Sequence, residues 1–393
     1  MNMKDNRWAS RRVRAMPKSL FATMDAAKSQ AAARGLELID LSIGSSDLAP
    51  PEAALTALRE ATADPRTYGY CLHACTRPLR EAAAAWYHGR YHLPVDPERN
   101  VLSLIGSQEG LANLLFAVTD PGDTILLPNP AYPSYFGAVA AAGLRAAMLP
   151  LVAEKDFLPD LAAVDAGVAR RARAMVLNYP NNPTAAVASS AFMSQVVAFC
   201  IENDILLIHD FPYVDMVYDD YQAPSALDRP GGLEVAIELF SCSKSFHMGG
   251  FRMGWAIGNA DAVAALARLK GAVDFNQYLG IQRAAIAAMG QPREFIRRSA
   301  AVYQSRRDVL VDTLNRVGWT TPLPKASMYV WTRLPAGLGD SFTFAVALAR
   351  ETGVCLAPGR GFGEKGEGYV RFALVRKPEI LKRAVMRVRE FLD

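Results

Sequence analysis

The chain has 393 residues, a formal net charge of +4 and a hydrophobic content of 51%. This length is more than one ordinary core requires, so we expect two domains or a large and a small lobe. The small net charge argues against a nucleic-acid-binding protein. Five cysteines at irregular spacing do not form a disulfide framework and suit a reducing cytoplasm. We expect no secretory signal, because the first residues are polar and basic and no apolar core follows them. We expect no membrane span either, because no apolar stretch reaches the ~18–20 residues that a membrane helix needs.

The N-terminal segment is locally basic, with Arg7, Arg11, Arg12, Arg14 and Lys18. We interpret this cluster as a solvated arm, and binding of an anion is the alternative. A helix is predicted over about residues 18–34, because Gly35 is a usual stop signal. A short apolar run over residues 36–41 follows it.

Between about residues 76 and 275, helix-like and strand-like stretches alternate. Nearly continuous apolar runs predict strands that are covered on both faces of a parallel sheet, at residues 101–105, 124–127, 174–177, 205–208 and 236–240. Helices are predicted at residues 79–91, 110–119 and 191–203. The alternation predicts an α/β layered domain.

After about residue 285 the pattern changes. Long helices at residues 294–317 and 341–352 alternate with short strands near residues 329–332 and 369–374. This part is predicted to be a separate α+β lobe. The chain shows no internal repeat and no low-complexity linker.

Three of the predicted strands end in unusual polar sequences. They are followed by Asn178–Thr184, His209–Tyr213 and Ser241–Lys244. Ligands bind at the carboxyl ends of strands in open parallel sheets, so Asn182, Asp210, Tyr213 and Lys244 should converge on one crevice. Each has an ordinary interpretation alone, since Asp and Asn are common in turns and lysines are commonly solvated. Their conjunction favours a binding site.

These residue types suit pyridoxal phosphate. The cofactor needs a lysine for a Schiff base and an acid that faces its ring nitrogen, and the lysine must lose a proton, which desolvation favours. Asn182 and Tyr213 can donate to the ring oxygen. The phosphate needs backbone N–H groups at a helix start, hydroxyls and a guanidinium. The segment from Gly106 to Gly110 lies between a strand and a helix, and Ser241, Ser243 and Arg252 flank Lys244.

The order and spacing of these motifs match a known family. Ser241-x-Ser243-Lys244, followed eight residues later by Arg252, with Asn182-Pro183-Thr184 and Asp210-x-x-Tyr213 upstream, resembles the class I/II aminotransferases of pyridoxal-phosphate fold type I. The resemblance extends from about Met16 to the C-terminus. It is greatest to the subgroup of LL-diaminopimelate and alanine-type aminotransferases, through Pro130–Pro133, Asn178–Thr184 and Gly368–Arg371.

The resemblance implies an α/β fold, in which a large domain holds a mostly parallel seven-stranded sheet sandwiched by helices, beside a smaller α+β domain. We expect residues 1–45 to form an N-terminal arm and part of the small domain. Residues 46–280 would form the large, cofactor-binding domain, and residues 281–393 the small C-terminal domain. The implied activity moves an amino group between an L-amino acid and a 2-oxo acid.

The resemblance also implies catalytic roles. Lys244 would form the Schiff base and move the proton between Cα and C4′ of the cofactor. Asp210 would pair with the pyridinium, Asn182 and Tyr213 would hold the ring oxygen, and Tyr132 would stack on the ring.

The phosphate would be held by Ser107, Gln108, Ser241, Ser243 and Arg252. Tyr70 would reach the phosphate of the neighbouring subunit, so a homodimer is implied. Arg371 would bind the substrate α-carboxylate as a bidentate fork, backed by Gly44 and with Asn182 beside it. No metal ligand is implied.

Three positions depart from the family pattern. Gly44-Ser45-Ser46-Asp47 replaces a Gly-x-Pro-Asp sequence, while Ala185 and Cys75 replace glycines. The first and third departures bear on the substrate side. The substrate therefore stays open among diaminopimelate, glutamate or alanine, and aromatic or larger donors.

Three other motifs receive ordinary interpretations. Residues 361–366 match G-x-G-x-x-G, but a strand rather than a helix should follow them, so the context of a dinucleotide site fails. Cys71, His73 and Cys75 lack the second pair that a structural zinc needs, and we interpret them as a polar loop, with a redox-sensitive pair as the alternative. His209 is interpreted as a core or supporting histidine, with a general base as the alternative.

Two other functions compete with transamination. The same cofactor could support β-elimination of the C–S lyase type, racemisation or decarboxylation. A non-catalytic regulator with the same fold is the third hypothesis, and the retained Lys244 argues against it, as does the lack of room before Met16 for a DNA-binding domain.

Overall fold

The computed structural model describes residues 6–16 and 21–393. Lys18, which belongs to the basic cluster and to the start of the first predicted helix, lies outside the described residues. The strands are β1 Ile39–Asp40, β2 Val101–Leu104, β3 Thr124–Asn129, β4 Arg145–Pro150, β5 Ala172–Leu177, β6 Leu206–Asp210, β7 Ala236–Ser241, β8 Gly254–Gly258, β9 Tyr329–Arg333, β10 Val354–Cys355, β11 Ala357–Pro358 and β12 Tyr369–Ala373. The helices are α1 Arg11–Ala15, α2 Phe21–Ala33, α3 Glu52–Thr62, α4 Arg77–Tyr91, α5 Ser107–Val118, α6 Pro133–Ala142, α7 Ala166–Arg171, α8 Ser190–Asn203, α9 Gly232–Val235, α10 Cys242–Ser245, α11 Ala260–Val273, α12 Leu279–Met289, α13 Arg293–Arg316, α14 Ser341–Thr352 and α15 Pro378–Leu392.

The main sheet has seven strands within the described residues, in the order β2-β8-β7-β6-β5-β3-β4. Strands β4, β3, β5, β6 and β7 are parallel, whereas β8 is antiparallel to both of its neighbours. Because two reversals cancel, β2 runs in the direction of β7. The carboxyl ends of β2, β5, β6 and β7 therefore meet at one edge, and the predicted fold class is confirmed.

Both faces of this sheet are apolar. Leu126 and Met175 face one buried cluster, and Ile125 and Val176 face the other. Successive side chains of a strand point to opposite faces, so the continuous apolar runs in the sequence reflect helices that cover both sides.

A second core lies around the three-stranded antiparallel sheet β11-β12-β9 and helices α13–α15, and it includes Ile39 and Leu41. Short strand β1 pairs in parallel with β10, which brings the N-terminal segment to this core. Helix α12 spans the predicted boundary at residue 280, and its Ala284 and Ala288 are buried in the core of the large sheet. The exact division into domains stays a prediction.

Two strands of the main sheet were not predicted, β4 and β8. Strand β4 lies at the sheet edge with mostly exposed side chains, so it lacks the apolar run on which the prediction depended. Strand β8 begins and ends with glycine, because a Cβ at Gly254 or Gly258 would meet backbone atoms of the neighbouring strand.

Helix α5 begins at Ser107, three residues before the predicted start. Gly106 adopts φ +83° directly before the helix, and the Glu109 carboxylate accepts a hydrogen bond from the Ile105 N–H at 2.7 Å. The strand-to-helix turn is thereby fixed at the edge where the polar sequences meet. Over residues 6–16 and 21–393, no helix is both long and apolar enough to span a bilayer.

Candidate active site

A cavity of about 380 Å³ opens at the carboxyl edge of the main sheet. Among the residues that line it are Gly44, Ser107, Gln108, Tyr132, Asn182, Asp210, Tyr213, Ser241, Ser243, Lys244, Arg252 and Arg371. Every residue predicted for the site is therefore at this cavity except Tyr70. The convergence follows from the parallel direction of β5, β6 and β7, which delivers three loops to the same place.

Lys244 lies in helix α10, directly after β7, and its side chain is half-buried. Its Nζ donates to the Gly44 carbonyl at 2.5 Å. Desolvation lowers the pKa of Lys244, and the positive charges of Arg371 and Arg252 act in the same direction, while Asp210 and Tyr329 oppose them. These effects shift Lys244 towards the neutral amine, which is the form that can attack an aldehyde or accept a proton.

Asp210 ends strand β6 and is 6% exposed. Its Oδ2 accepts a hydrogen bond from the Tyr135 hydroxyl at 2.6 Å. Its Oδ1 is buried and has no hydrogen-bond partner among the residues that the structure describes. Burial raises the pKa of this carboxyl to about 6. A cation in contact with Oδ1 would compensate the desolvated charge.

Asn178 fixes the loop after β5 by two side-chain hydrogen bonds. The Asn178 side chain donates to the Asp210 carbonyl and accepts from the Asn182 N–H, both at 2.7 Å. Asn178 thereby couples the loop that carries Asn182 to the strand that carries Asp210. The hydroxyls of Tyr213 and Tyr329, which also line the cavity, lie 3.0 Å apart.

An anion subsite is formed by the N-terminus of α5 together with hydroxyls and a guanidinium. Ser107 opens the helix, and the Ser241 Oγ accepts from the Ser243 N–H at 3.1 Å. The Arg252 guanidinium lies so close to Gly106 that a Cβ there would stand 2.6 Å from Nη2. A helix N-terminus presents unpaired N–H groups and a partial positive charge, which suits a phosphate.

Arg371 extends from β12 and is 4% exposed. Its Nη1 donates to the Asn182 Oδ1 at 2.6 Å, and its Nη2 donates to the Ser42 carbonyl at 2.8 Å. The guanidinium carbon lies 4.0 Å from the ring centroid of Tyr329 and 4.6 Å from that of Phe362. Two aromatic faces therefore fix the plane of a fork that suits a carboxylate.

Several residues of the site were missed in the sequence. Tyr329 and Tyr135 lie in a strand and a helix of ordinary pattern, and their roles arise only when distant segments meet. A Cβ at Gly44 would lie 1.9 Å from the Tyr329 hydroxyl, so glycine is required at this close approach. The Ser46 hydroxyl contacts Tyr303 and His247. In the sequence, Ser46 stood out only because it replaces the proline of the Gly-x-Pro-Asp pattern.

Tyr70 is not at the cavity of its own chain. It is 82% exposed, and its ring centroid lies 5.2 Å from that of Phe275. The neighbouring Cys71 is buried and its thiol contacts Gln282 at 2.9 Å, whereas Cys75 is exposed.

The remaining motifs take the places that their ordinary interpretations predicted. His209 is fully buried, with Nδ1 2.9 Å from Glu238 and Nε2 3.2 Å from the Tyr179 carbonyl, so it belongs to the core. The glycine-rich segment forms the short turns Gly359–Phe362 and Glu364–Gly366 and then enters strand β12. No helix follows it, as predicted.

The residues present fit pyridoxal phosphate. The orphaned, buried Oδ1 of Asp210 suits a protonated ring nitrogen, the α5 subsite suits a phosphate, and Lys244 offers a desolvated amine within the same cavity. A doubly wound sheet with this arrangement defines an enzyme of the pyridoxal-phosphate-dependent class that acts on amino acids.

Comparison with known proteins gives the family. The profile of the family "Aminotransferase class I and II" matches residues 37–388, and this chain belongs to that family. It is 43% identical to an LL-diaminopimelate aminotransferase of Gloeobacter violaceus, over 95% of each chain.

Solved structures agree with this assignment. A probable N-succinyldiaminopimelate aminotransferase from Thermus thermophilus is 51% identical, with a TM-score of 0.91 over 95% of this chain and 100% of that one. The aspartate aminotransferase from Thermus thermophilus with maleate is 29% identical, with a TM-score of 0.90 over 98% and 99%. The chain is thus a pyridoxal-phosphate-dependent aminotransferase, and the matches give no support to the lyase alternative.

Proposed function

We propose that Lys244 holds the cofactor of this aminotransferase and carries the proton that transamination moves. When bound, pyridoxal phosphate supplies an aldehyde that takes the amino group and a ring that withdraws electrons from the substrate. The observation that carries the proposal is the presence of Lys244, the orphaned Asp210 Oδ1 and the Arg371 fork around one cavity.

The proposed work of Lys244 depends on its protonation state. A lysine with an ordinary pKa would hold its proton at neutral pH, and the desolvation described above moves the amine away from that state. Lys244 can then accept a proton from the substrate Cα and deliver it to C4′ of the cofactor. The Gly44 carbonyl, 2.5 Å from Nζ, keeps the amine on the side of the cavity that the N-terminal segment forms.

Arg371 is proposed to orient the substrate. A carboxylate can accept two parallel hydrogen bonds from a guanidinium, which fixes both its position and its plane. With its α-carboxylate held there, the substrate would present Cα within the cavity that Lys244 also lines. Asn182, Tyr213, Ser107, Gln108, Tyr132, Ser241, Ser243 and Arg252 are proposed to hold the cofactor, as the resemblance implies.

For the substrate we propose an amino acid with a second polar end, of the diaminopimelate type. Two of the relatives compared above carry that specificity in their names, and the polar residue Ser45 is among those that line the cavity. Single half-reactions with LL-diaminopimelate, its N-succinyl derivative, aspartate and alanine would test this. The first two should change the cofactor absorbance at least about tenfold faster per mole than alanine does.

We further propose a cytoplasmic homodimer in which Tyr70 completes the site of the partner subunit. The support is an exposed apolar group around Tyr70, since Tyr68 is 63%, Leu72 54% and Phe275 51% exposed. Such a patch favours burial against another subunit. Co-expression of Tyr70→Ala with Lys244→Ala chains should restore activity, because one site of each mixed dimer would have both residues. Mixed dimers without activity would argue against this arrangement.

The proposed role of Lys244 is tested by chemical trapping. Borohydride reduction of the holoenzyme followed by peptide mass spectrometry should find the cofactor attached to Lys244. Lys244→Ala should lose this attachment and at least about 1,000-fold in kcat, whereas the exposed Lys382→Ala should behave as wild type. Attachment to a different lysine would overturn the assignment.

A further inference from the structure

Three segments of the chain meet beside the cavity through Ser46, His247 and Tyr303. The Ser46 Oγ lies 2.9 Å from His247 Nδ1 and 2.7 Å from the Tyr303 hydroxyl. It also accepts from the Leu48 N–H at 3.2 Å. On the far side of the ring, His247 Nε2 lies 2.9 Å from the Ser299 Oγ. Ser46 lines the cavity, His247 follows Lys244 by three positions, and Ser299 and Tyr303 belong to α13.

The direction of these hydrogen bonds can be assigned. Burial lowers the pKa of His247 to about 4, so its ring is neutral at neutral pH and carries one N–H. Burial raises the pKa of Tyr303 to about 12, so its hydroxyl keeps its hydrogen. If Tyr303 donates to Ser46, Ser46 to Nδ1 and the Nε2–H to Ser299, the hydrogens of Tyr303, Ser46 and His247 all have acceptors, and the hydroxyl hydrogen of the half-buried Ser299 can reach solvent. The reverse direction leaves the Tyr303 hydrogen without an acceptor among the described residues.

This chain of hydrogen bonds holds the segment that touches Lys244. Gly44, two residues before Ser46, provides the carbonyl that accepts from Lys244 Nζ at 2.5 Å. On the other side of Ser46, Asp47 forms a two-fold ion pair with Arg306 of α13, at 2.6 and 2.8 Å. Since Arg306 is 4% exposed and makes two hydrogen bonds to the carboxylate, this pair holds Asp47 against α13. The segment is therefore fixed at Asp47 by α13. At Ser46 it is fixed both by Tyr303 of α13 and by His247, which lies three residues after Lys244.

We infer that the hydrogen bond between Ser46 and His247 positions the Gly44 carbonyl against the amine of Lys244, which makes Ser46 and His247 positioning residues for the proton transfer. The inference rests on the proposed function of Lys244. Neither residue exchanges a proton with the substrate. Their effect is to keep the backbone of residues 44–47 from moving relative to the turn at residues 244–247, and small displacements of a catalytic group have large effects on rate.

The experiment compares Ser46→Ala with Ser46→Thr, which keeps the hydroxyl. In Ser46→Ala we expect kcat to fall about tenfold while KM changes by less than about twofold. In the apoprotein, amide hydrogen exchange of residues 42–48 should become about tenfold faster, because the net contribution of a hydrogen bond or two is lost. Ser46→Thr should restore both values. If Ser46→Ala does not fold, His247→Leu is measured in the same way, with His247→Asn as its partial rescue.

A stability-matched control is offered by Ser189, whose Oγ accepts from the Phe192 N–H at the start of α8. Ser189→Ala removes one hydroxyl cap, at a residue that is not among those that line the cavity. It should lower stability without changing kcat or the exchange of residues 42–48. The inference is overturned if Ser46→Ala leaves either quantity unchanged or if Ser189→Ala reproduces the fall in kcat. Failure of the Lys244 proposal is seen separately, as activity or cofactor attachment that persists in Lys244→Ala.

Discussion

Replacement of Asp210 by asparagine should make the apoprotein more stable at neutral pH although it removes a residue of the proposed site. Asp210 is 6% exposed, and its Oδ1 has no partner in the described part of the chain. The variant keeps an oxygen that can accept from the Tyr135 hydroxyl, as Oδ2 does at 2.6 Å. It removes the buried charge and places an amide nitrogen at the position of Oδ1, a second change whose cost does not depend on pH.

The magnitude follows from the pKa, which burial raises from 3.8 to about 6. One pKa unit corresponds to about 1.4 kcal/mol, so ionisation of Asp210 costs the folded apoprotein about 3 kcal/mol. Because the folded pKa is raised, this cost is absent below pH 3.8 and complete above pH 6. At pH 5 about half of it is present, so the wild type should lose about 1.4 kcal/mol relative to the variant between pH 5 and pH 8.

Urea unfolding of both apoproteins at pH 5 and pH 8 measures this difference. Asp340→Asn is a suitable control, since backbone N–H groups of α14 lower the pKa of Asp340, which leaves it ionised in both states at both pH values. Its stability difference from wild type should be the same at pH 5 and pH 8. An equally constant difference for Asp210→Asn would refute the reasoning. With cofactor bound, the pH dependence of Asp210 should disappear.

Two further predictions concern the substrate side. Arg371→Lys loses the bidentate fork and the stacking on Tyr329 and Phe362. The KM for the amino acid should therefore rise about tenfold to a hundredfold in steady-state assays. An unchanged KM would show that Arg371 does not bind the carboxylate. Gly44→Ala places a methyl group 1.9 Å from the Tyr329 hydroxyl, so stability should fall by about 1–3 kcal/mol and activity with it. Gly89→Ala in α4, where a Cβ meets nothing within 4 Å, should keep activity and raise the melting temperature slightly.

The sequence predicts the centre of the main sheet better than its edges. Strands β3, β5, β6 and β7 are buried on both faces, and this burial selects the apolar runs that were recognised. Most side chains of strand β4 are exposed, so its sequence contains no continuous apolar run by which it could be recognised. The boundaries of α5 were missed for a different reason, since a single glycine at positive φ rather than hydrophobicity sets its start.

The same contrast holds at the site. Residues at the ends of parallel strands, such as Asp210 and Lys244, could be placed together because the topology alone brings them to one edge. Tyr329 and Tyr135 could not, because their contacts depend on how a second sheet and a helix pack over that edge. Tyr70 could be assigned only by resemblance, and its role in a partner's site stays a prediction.

The environment of Arg371 has a consequence for which compounds can react. Each of its two terminal nitrogens carries two N–H groups and donates one of them, Nη1 to Asn182 and Nη2 to Ser42, so the proposed substrate carboxylate can accept from the second N–H of each nitrogen without displacing these neutral acceptors. A simple amine has no carboxylate to accept those hydrogen bonds. In the proposed arrangement, discrimination between amino acids and simple amines therefore depends on a cation that its neutral neighbours already hold in place before the substrate arrives.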